Sequence, residues 1–586
     1  MIRRVITNRT FQVVAVLAAV LVALLLWLGF SVLHVKDNIE SARGDATQAR
    51  SLALDGDEAG ARRAAEAAAD AATSASDRSH GVVWSAAASI PWLGAPLKSV
   101  QQMSDAVADL STDVLVPSAE LATVLDPAKL RSGDAINTAP LAAAQPQLAA
   151  VAEKSAAIAD EVEQINPTWL GAVADAHTQL QEQVDEAAAT LNGTNVAAQL
   201  VPSMLGADGT RKYFLAFQTP SESRGTGGLV GGFAILDATD GRITVPTLGA
   251  NSVLRKPVLP QTSFGLDYDT IYSSYRPYTD PRNANLSPNF PDAAQIWIAN
   301  WRYQTGQQLD GAVAVDPIAL SYVLKATGPV TLSGGEKITA DNIVPITLST
   351  SYERFAGDNE GRKTYLQSIA KAVVQQLATA KSDTGAVLEA LGRGVHERRI
   401  MVYSTDSADQ RILESTNLGH QIPDTPAPYL QVALGNASGN KIDYYLRREI
   451  DYRAGDCKGD TRESTVTVKI TNTLDDLTLP DYVIGSMGTR LKVPKGTSLT
   501  NVEMLTTAGS VVKKITVDGT TPMYVEQPLH GRPYLATMIR VPPGKTVTVT
   551  VVLDEPTNAG EPVVPIQPLV DDPKVTVDVP DCAGAN

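Results

Sequence analysis

The sequence predicts a multidomain chain: an N-terminal transmembrane helix, an α-helical bundle or stalk, a central α/β domain and a C-terminal β-sandwich. Three observations lead there. Residues 11–35 form an uncharged, mostly apolar run preceded by Arg3, Arg4 and Arg9. Residues 36–200 are rich in alanine, with apolar positions three and four apart. From residue 201 onward, short segments rich in β-branched and aromatic residues alternate first with helical patterns and later only with one another.

Taken in order, the apolar run is long enough to cross a bilayer, since a helix rises about 1.5 Å per residue and roughly 20 residues span the hydrocarbon core. The arginines before it favour a cytoplasmic tail at residues 1–10, which would place the bulk of the chain outside a single-pass plasma-membrane anchor. A cleaved signal peptide is the alternative; it would be shorter and end in small residues, whereas this run reaches Trp27, Phe30 and Leu33. In residues 36–200 helices are expected at Glu58–Ala75, Leu97–Leu115, Pro140–Ile165 and Pro167–Leu191. The breaks at Ile90–Pro96, Asp126–Asp134 and Asn166–Pro167 are short and hold proline or glycine, so the helices should fold back as an antiparallel bundle.

The central α/β domain, residues 201–423, has expected strands at Lys212–Gln218, Gly231–Thr239, Ile243–Gly249 and Gly311–Pro317. Helices are expected at Phe290–Gly306, Ile318–Gly328 and Arg362–Ala380, with a hairpin at Pro329–Thr339. After the linker Pro423–Pro428, residues 429–586 alternate apolar and polar positions in five segments: Thr465–Leu474, Arg490–Gly496, Ser510–Gly519, Thr537–Gly544 and Lys545–Pro556. That is the pattern of an immunoglobulin-like sandwich.

A net charge of −15 argues against a nucleic-acid binder, which needs a concentrated basic face. Cys457 and Cys582 lie far apart and outside any CxxC spacing, so in an oxidising compartment they should form one disulfide tying the tail to the start of the last domain. Two free thiols are the alternative. The six histidines are scattered without metal-ligand spacing, and no GxSxG elbow occurs.

Three clusters could carry chemistry. In TPSESRGTGGLVGGFAIL (Thr219–Leu236), Gly225, Gly227, Gly228, Gly231 and Gly232 lie beside Arg224, and backbone N–H groups with an arginine can hold a phosphate. Tight strand packing would explain the glycines equally well. In SYERFAGDNEGRKTYLQ (Ser351–Gln367), Arg354, Asp358 and Arg362 are spaced by four and could set two cations and a carboxylate around a diphosphate and a divalent cation such as Mg2+. A solvated charge ladder is the plain alternative. The loop Tyr275–Gln295 offers Arg276, Asp280, Arg282, Asn285, Asn289 and Asp292 ahead of a helix.

With those residues in view, the chain resembles an actinobacterial family called domain of unknown function four-zero-one-two. The resemblance rests on the N-terminal anchor, the turn IPWLG, the stretch RKYFLAFQTPSESRGTGGLVGGFAIL and the later NKIDYYLRREIDYRAGDC. More distantly, the central domain resembles the LytR–CpsA–Psr phosphotransferases, which join lipid-diphosphate-linked glycopolymers to the cell wall. That resemblance implies a phosphate-binding role for Arg224 and places Arg354, Asp358 and Arg362 at the family's arginine-aspartate-arginine segment; Arg282 of the loop Tyr275–Gln295 is a further candidate ligand-binding residue. Asp310–Leu332 would be its buried strand and following helix. The sequence departs from the pattern where Gly227 and Gly228 replace an expected acid, and where Gly249–Pro257 lacks the serine-isoleucine-proline-arginine-aspartate run.

Two expectations follow. One is a noncatalytic, membrane-anchored binding or assembly factor for envelope glycopolymer or lipid-linked glycan. The other is a phosphotransferase in which Arg224 and Arg362 bind diphosphate and Asp358 coordinates magnesium or positions the acceptor. An apolar tunnel for an isoprenoid tail would support a lipid-linked ligand in either case, and a filled core would count against it.

Overall fold

The computed structural model describes residues 34–582 except 53–56, 125–129, 134, 167, 380–383, 488–490 and 492. The transmembrane helix expected at 11–35, with its cytoplasmic tail at 1–10, falls almost wholly outside these residues. Among the described residues, no helix is long and apolar enough to cross a membrane. The long helices carry charges along their length, such as Asp175, Glu182, Asp185 and Glu186 in Gly171–Met204, as amphipathic helices of a bundle do. The expected fold class and the single-pass plasma-membrane placement are corrected accordingly: the described chain is a multidomain α/β architecture with several sheets.

The chain divides into two compact units, 1–207 and 208–586. The first is helical: α1 (34–52), α2 (Glu58–Ser79), α3 (Val82–Ala88), α4 (Ala95–Asp109), α5 (Val116–Val124), α6 (Ala139–Glu163) and α7 (Gly171–Met204). A π-helical stretch, Leu110–Leu115, joins α4 to α5. Alanine shapes this unit, because α2 buries Ala61, Ala64, Ala65, Ala68, Ala72 and Ala75 along one face, where small side chains let helices pack closely. Trp84 is fully buried, and its indole N–H donates to the Leu97 carbonyl at 3.1 Å.

In the second unit a five-stranded sheet is built from β1 (Arg211–Arg224), β2 (Gly227–Thr239), β3 (Arg242–Ala250), β4 (Gly311–Val315) and β5 (Ile400–Ser404), in the order β3-β2-β1-β4-β5. The first three strands form an antiparallel meander, β4 pairs parallel with β1, and β5 closes the edge antiparallel to β4. Alternate residues of β1 face opposite layers, as strand geometry requires. Phe214 and Ala216 pack with α8 (Leu266–Tyr272) and α9 (Phe290–Thr305), whereas Leu215 and Phe217 pack with α10 (Pro317–Thr327). Beyond α10 lie α11 (Asn359–Thr379), α12 (Thr384–His396) and α13 (Ser407–Glu414).

The sandwich belongs to the same unit. One sheet orders β6 (Leu430–Asn436), β9 (Ser498–Thr506), β12 (Arg532–Val541) and β11 (Tyr524–Leu529). The other orders β10 (Val511–Val517), β13 (Thr546–Pro556), β8 (Thr461–Asn472), β7 (Leu446–Ala454) and β14 (Lys574–Asp578), the last pairing parallel with β7. Val466, Val468 and Ile470 share one apolar core with Val502, Met504 and Ile539. Cys457 and Cys582 form a disulfide.

The hairpin between β11 and β12 sets His530 on the start of α9, where its Nε2 lies 2.9 Å from Asp292 Oδ2. Asp292 is buried and also accepts from Ser287 Oγ at 2.6 Å and Asn289 Nδ2 at 2.8 Å. Burial alone would lower the His530 pKa, but the hydrogen bond and charge of Asp292, with Asp267 behind it, raise it above the usual 6.5. A raised histidine contributes stability that is fully present below pH 6.5 and is lost as pH climbs through the folded value. We therefore expect the urea midpoint of wild type to exceed that of His530→Gln most at pH below 6.5 and the gap to shrink as pH rises above that value; a gap independent of pH would remove this assignment.

Candidate functional site

The glycine-rich stretch is a hairpin rather than an open cradle. Arg224 pairs with Gly227 across a two-residue turn, and the register slips between Thr219 and Ser223, so Pro220, Ser221 and Glu222 bulge from the ladder. The glycines allow close backbone approach. A Cβ on Gly225 would lie 2.1 Å from the Leu286 carbonyl oxygen, and one on Gly228 would lie 2.2 Å from the Thr219 carbonyl carbon. Gly227 has φ +132°, and a Cβ there would meet Gln218 Oε1 and the Pro568 carbonyl at 3.1 Å. Gln218 Oε1 accepts the Gly228 N–H at 2.9 Å, and Asn285 Nδ2 donates to Thr226 Oγ1 and the Gly228 carbonyl, each at 2.9 Å.

The bulge aims Glu222 at the sandwich. Its carboxylate accepts from Lys441 Nζ on one oxygen and from Arg224 Nη2 at 2.9 Å on the other, with all three side chains buried. Ser223 donates through its N–H (2.8 Å) and Oγ (2.6 Å) to Asp443 Oδ2, and the Arg224 carbonyl accepts from Gln567 Nε2 at 2.7 Å. Two sequence motifs thus meet: SESRG of the central sheet and NKIDYY of the sandwich. Burial would raise the Glu222 pKa, yet the two adjoining cations hold it below the usual carboxylate value.

Arg354, Asp358 and Arg362 do not share a face, because a break at Phe355–Asp358, with Gly357 at φ +83°, separates the turn Ser351–Arg354 from α11. Arg354 is exposed, pairs with Glu336 at 2.9 Å and lies over Tyr365. Asp358 is exposed, and its Oδ1 caps α11 by accepting from the Gly361 N–H at 2.8 Å. Arg362 turns inward. Its guanidinium sits 4.6 Å from the Tyr352 ring centre and 4.5 Å from that of Tyr482, and it donates to Asn359. Lys441 Nζ lies over the same two rings at 5.5 and 5.1 Å.

Of the residues singled out from sequence, Arg224, Arg282 and Arg362 therefore fall in one neighbourhood, linked through Glu222 and Lys441, whereas Arg354 and Asp358 stand apart. Arg224 Nε donates to the Arg282 carbonyl at 3.3 Å. The Arg282 guanidinium grips Asp280 at 3.0 and 2.6 Å, and Lys256 Nζ reaches the same carboxylate at 2.9 Å, holding Asp280 far below the usual carboxylate range against the effect of burial. Beside this group opens a cleft of about 260 Å³ lined by Lys256, Pro257, Val258, Arg276, Thr279 and Asp280. Arg276 is exposed, adopts φ 58°, and its side chain has no ion-pair partner among the described residues.

Sequence reading missed Glu222, Lys256 and Lys441. Glu222 and Lys441 stood inside quoted motifs, but nothing local shows that residues 219 positions apart will pair. A magnesium ion would require several hard oxygen ligands. Among the described residues, no three of His, Cys, Asp or Glu gather to hold a metal, and Asp358 is occupied as a helix cap, so the residues here do not fit that ion.

The apolar space between the sheet and α9 is filled. Phe214 stacks on Phe233 (5.3 Å) and Trp297 (5.5 Å), Trp301 meets both phenylalanines, and Phe290 closes on Trp297. The void left against Phe214, Trp297 and Trp301 is about 10 Å³, room for scarcely one water, whereas ligand pockets run to roughly 300 Å³ or more. An isoprenoid tail has no place there.

Comparison with known proteins adds a family likeness. No curated protein matches the chain. Residues 208–352, from just before β1 to Tyr352, match the family model described as protein of unknown function (DUF4012), a stretch that holds Arg224, Gly227, Gly228 and Arg282 and stops short of Arg354, Asp358 and Arg362.

Proposed function

We propose that the protein is a noncatalytic binding or assembly factor for an anionic envelope glycopolymer, held at the cleft of Lys256, Arg276 and Thr279 with Arg282 at its edge. The observation that carries this reading is the open cationic cleft: it offers an unpaired arginine, a lysine and a hydroxyl to a phosphate or carboxylate on a sugar chain, with only Asp280, already neutralised, facing them. Its size suits one charged sugar unit, and its position leaves the rest of a polymer in solvent. The disulfide is of a kind that persists in oxidising surroundings, which suits an envelope role.

A LytR–CpsA–Psr-like phosphotransferase acting on polyprenyl-diphosphate-linked glycan is the second reading, favoured by the gathering of Arg224, Arg282, Arg362 and Lys441. It asks for a free arginine clamp and a metal-binding carboxylate. Arg224 is committed to Glu222, Arg362 is enclosed by two tyrosines, and Asp358 caps a helix.

The test is binding of a purified phosphodiester-containing wall glycopolymer, with a neutral glycan as control, to the full-length chain. Arg276→Ala should weaken binding by about ten- to a hundredfold, since a hydrogen bond to a charged group is worth about 1.5–3 kcal/mol, and Lys256→Ala should weaken it less. Equal binding by wild type and Arg276→Ala would sink the proposal. Glycan transfer to an acceptor, abolished in Arg362→Ala, would establish the second reading.

A further inference from the structure

At one end of the first unit two connections meet, the turn Ile90–Gly94 between α3 and α4 and the passage from α6 to α7. In the turn, the Leu93 N–H donates to the Pro91 carbonyl and the Gly94 N–H to the Ile90 carbonyl, each at 2.8 Å. Gly94 lies so close to α3 that a Cβ there would stand 2.4 Å from the Ala88 carbonyl oxygen. The second connection is tied in through the Asn166 carbonyl, which accepts from Ser99 Oγ of α4 at 3.2 Å. Across the join Trp169 stacks on Trp92, with ring centres 5.3 Å apart and planes 24° from parallel, and its indole N–H donates to the Trp92 carbonyl at 2.7 Å.

Rings held this firmly are ordinarily buried, yet both face solvent. Trp92 is 70 % exposed and Trp169 51 %, and Ile90, Leu93 and Leu170 beside them in the chain are exposed as well. Trp92 adopts φ 63°, a left-handed conformation uncommon for a bulky residue and usual for glycine. Lone apolar residues on a surface are ordinary, but a contiguous group on a fixed frame marks an interaction surface. Fixed charge is absent from both connections: no Asp, Glu, Lys or Arg falls between Arg78 and Lys98, or between Glu163 and Asp175. The chain also enters the unit here. Val35, at the start of α1, shares a core with Ala75 and Trp84, against which Leu97 packs, so the uncharged, mostly apolar run 11–35 reaches the described residues at this same end.

We propose that this end of the first unit docks on a lipid bilayer surface, with Trp92 and Trp169 seated in the interfacial layer and Ile90, Leu93 and Leu170 reaching the acyl boundary. Indole suits that layer, being an apolar body with one polar handle. The Trp169 N–H is already met by the Trp92 carbonyl, which lowers the cost of moving that ring out of water. Two observations favour lipid over a protein partner: the surface has no fixed charge with which to select one, and the apolar run 11–35 meets the unit beside it. Docking of this kind is peripheral, because side chains of two connections enter the interface and no helix of the described residues crosses it.

The experiment uses the full-length chain, whose two cysteines are held in the disulfide, so that one added cysteine can carry a spin label. Leu93→Cys reports on the turn, and Thr47→Cys, at an exposed position about 18 Å along α1 from Val35 at 1.5 Å per residue, is the control. Labelled protein is mixed with vesicles of phosphatidylcholine, a lipid without net charge, and collisions of the label with oxygen, which concentrates in lipid, are compared with those of a water-soluble nickel chelate. Vesicles should raise the oxygen-to-nickel ratio at position 93 at least threefold and leave position 47 unchanged. Adding Trp92→Ser/Trp169→Ser should abolish the rise while the helical circular dichroism is kept. Should that variant lose its helices, a label placed through Leu170→Cys carries the test and should rise with position 93. An unchanged ratio at position 93 overturns the proposal, as does an equal rise at position 47, or a rise at position 93 with protein concentration alone, which would make the occupant a second copy of the chain.

Discussion

Glu222→Gln is expected to destabilise the protein by about 3–5 kcal/mol, the range for removing one partner of a buried ion pair. The substitution keeps the shape and removes only the charge that Lys441 and Arg224 share, leaving both cations buried without a carboxylate. The loss should appear as a lowered urea midpoint with little change in slope, because the unfolded chain is hardly altered. Adding Lys441→Met to Glu222→Gln should recover part of it, since an apolar pair of similar volume tolerates burial better than an orphaned cation. The pH dependence follows from the lowered carboxylate pKa: Glu222 contributes stability that is present above its ordinary value of 4.5 and is lost as acid titrates it in the folded state. An unchanged midpoint in Glu222→Gln would mean that the bulge of β1 does not hold the sandwich to the central sheet. The same measurement bears on function, because a glycopolymer assay of Arg224→Ala would otherwise confuse a failed seam with a failed binding site.

Breaking the Cys457–Cys582 disulfide is expected to cost about 2–5 kcal/mol, near the upper end because the sequence separation is 125 residues and loop-closure entropy grows with loop length. The bond fastens the tail that follows β14, the edge strand pairing parallel with β7 from Glu449 to Arg453. Arg462 reinforces this corner: Nη1 donates to the Pro580 carbonyl at 2.6 Å and lies 3.2 Å from Cys582 Sγ. Urea unfolding of wild type with and without reductant, beside the Cys457→Ser/Cys582→Ser double variant, checks this. Reductant should shift wild type to the midpoint of the double variant and leave that variant unmoved; equal midpoints throughout would show that β14 and Arg462 hold the tail unaided.

Local periodicity was enough to locate many elements. The helix expected at Phe290–Gly306 runs Phe290–Thr305, and the strand expected within Gly311–Pro317 runs Gly311–Val315, since both signals are complete within one segment. The fifth strand, Ile400–Ser404, escaped notice because its five residues, ended by Tyr and Ser, carry too little alternation to stand out. At the candidate site the balance reverses. Arginine positions were visible, but their roles were not: spacing by four suggested that Arg354, Asp358 and Arg362 act together, and the helix break at Gly357 sends Arg354 to Glu336 and Arg362 between Tyr352 and Tyr482.

By itself, the sequence determined what is local: the amphipathic helices of the first unit, the alternating strands of the second, and the glycines at 225, 227 and 228 that let backbones meet. Which charges remain available to a ligand was decided only by tertiary structure. Pairing of Glu222 with Lys441, enclosure of Arg362 and exposure of Arg276 depend on which distant segments pack together, and the electrostatic energy of a group is set by its burial and its neighbours, neither of which is written in its immediate sequence.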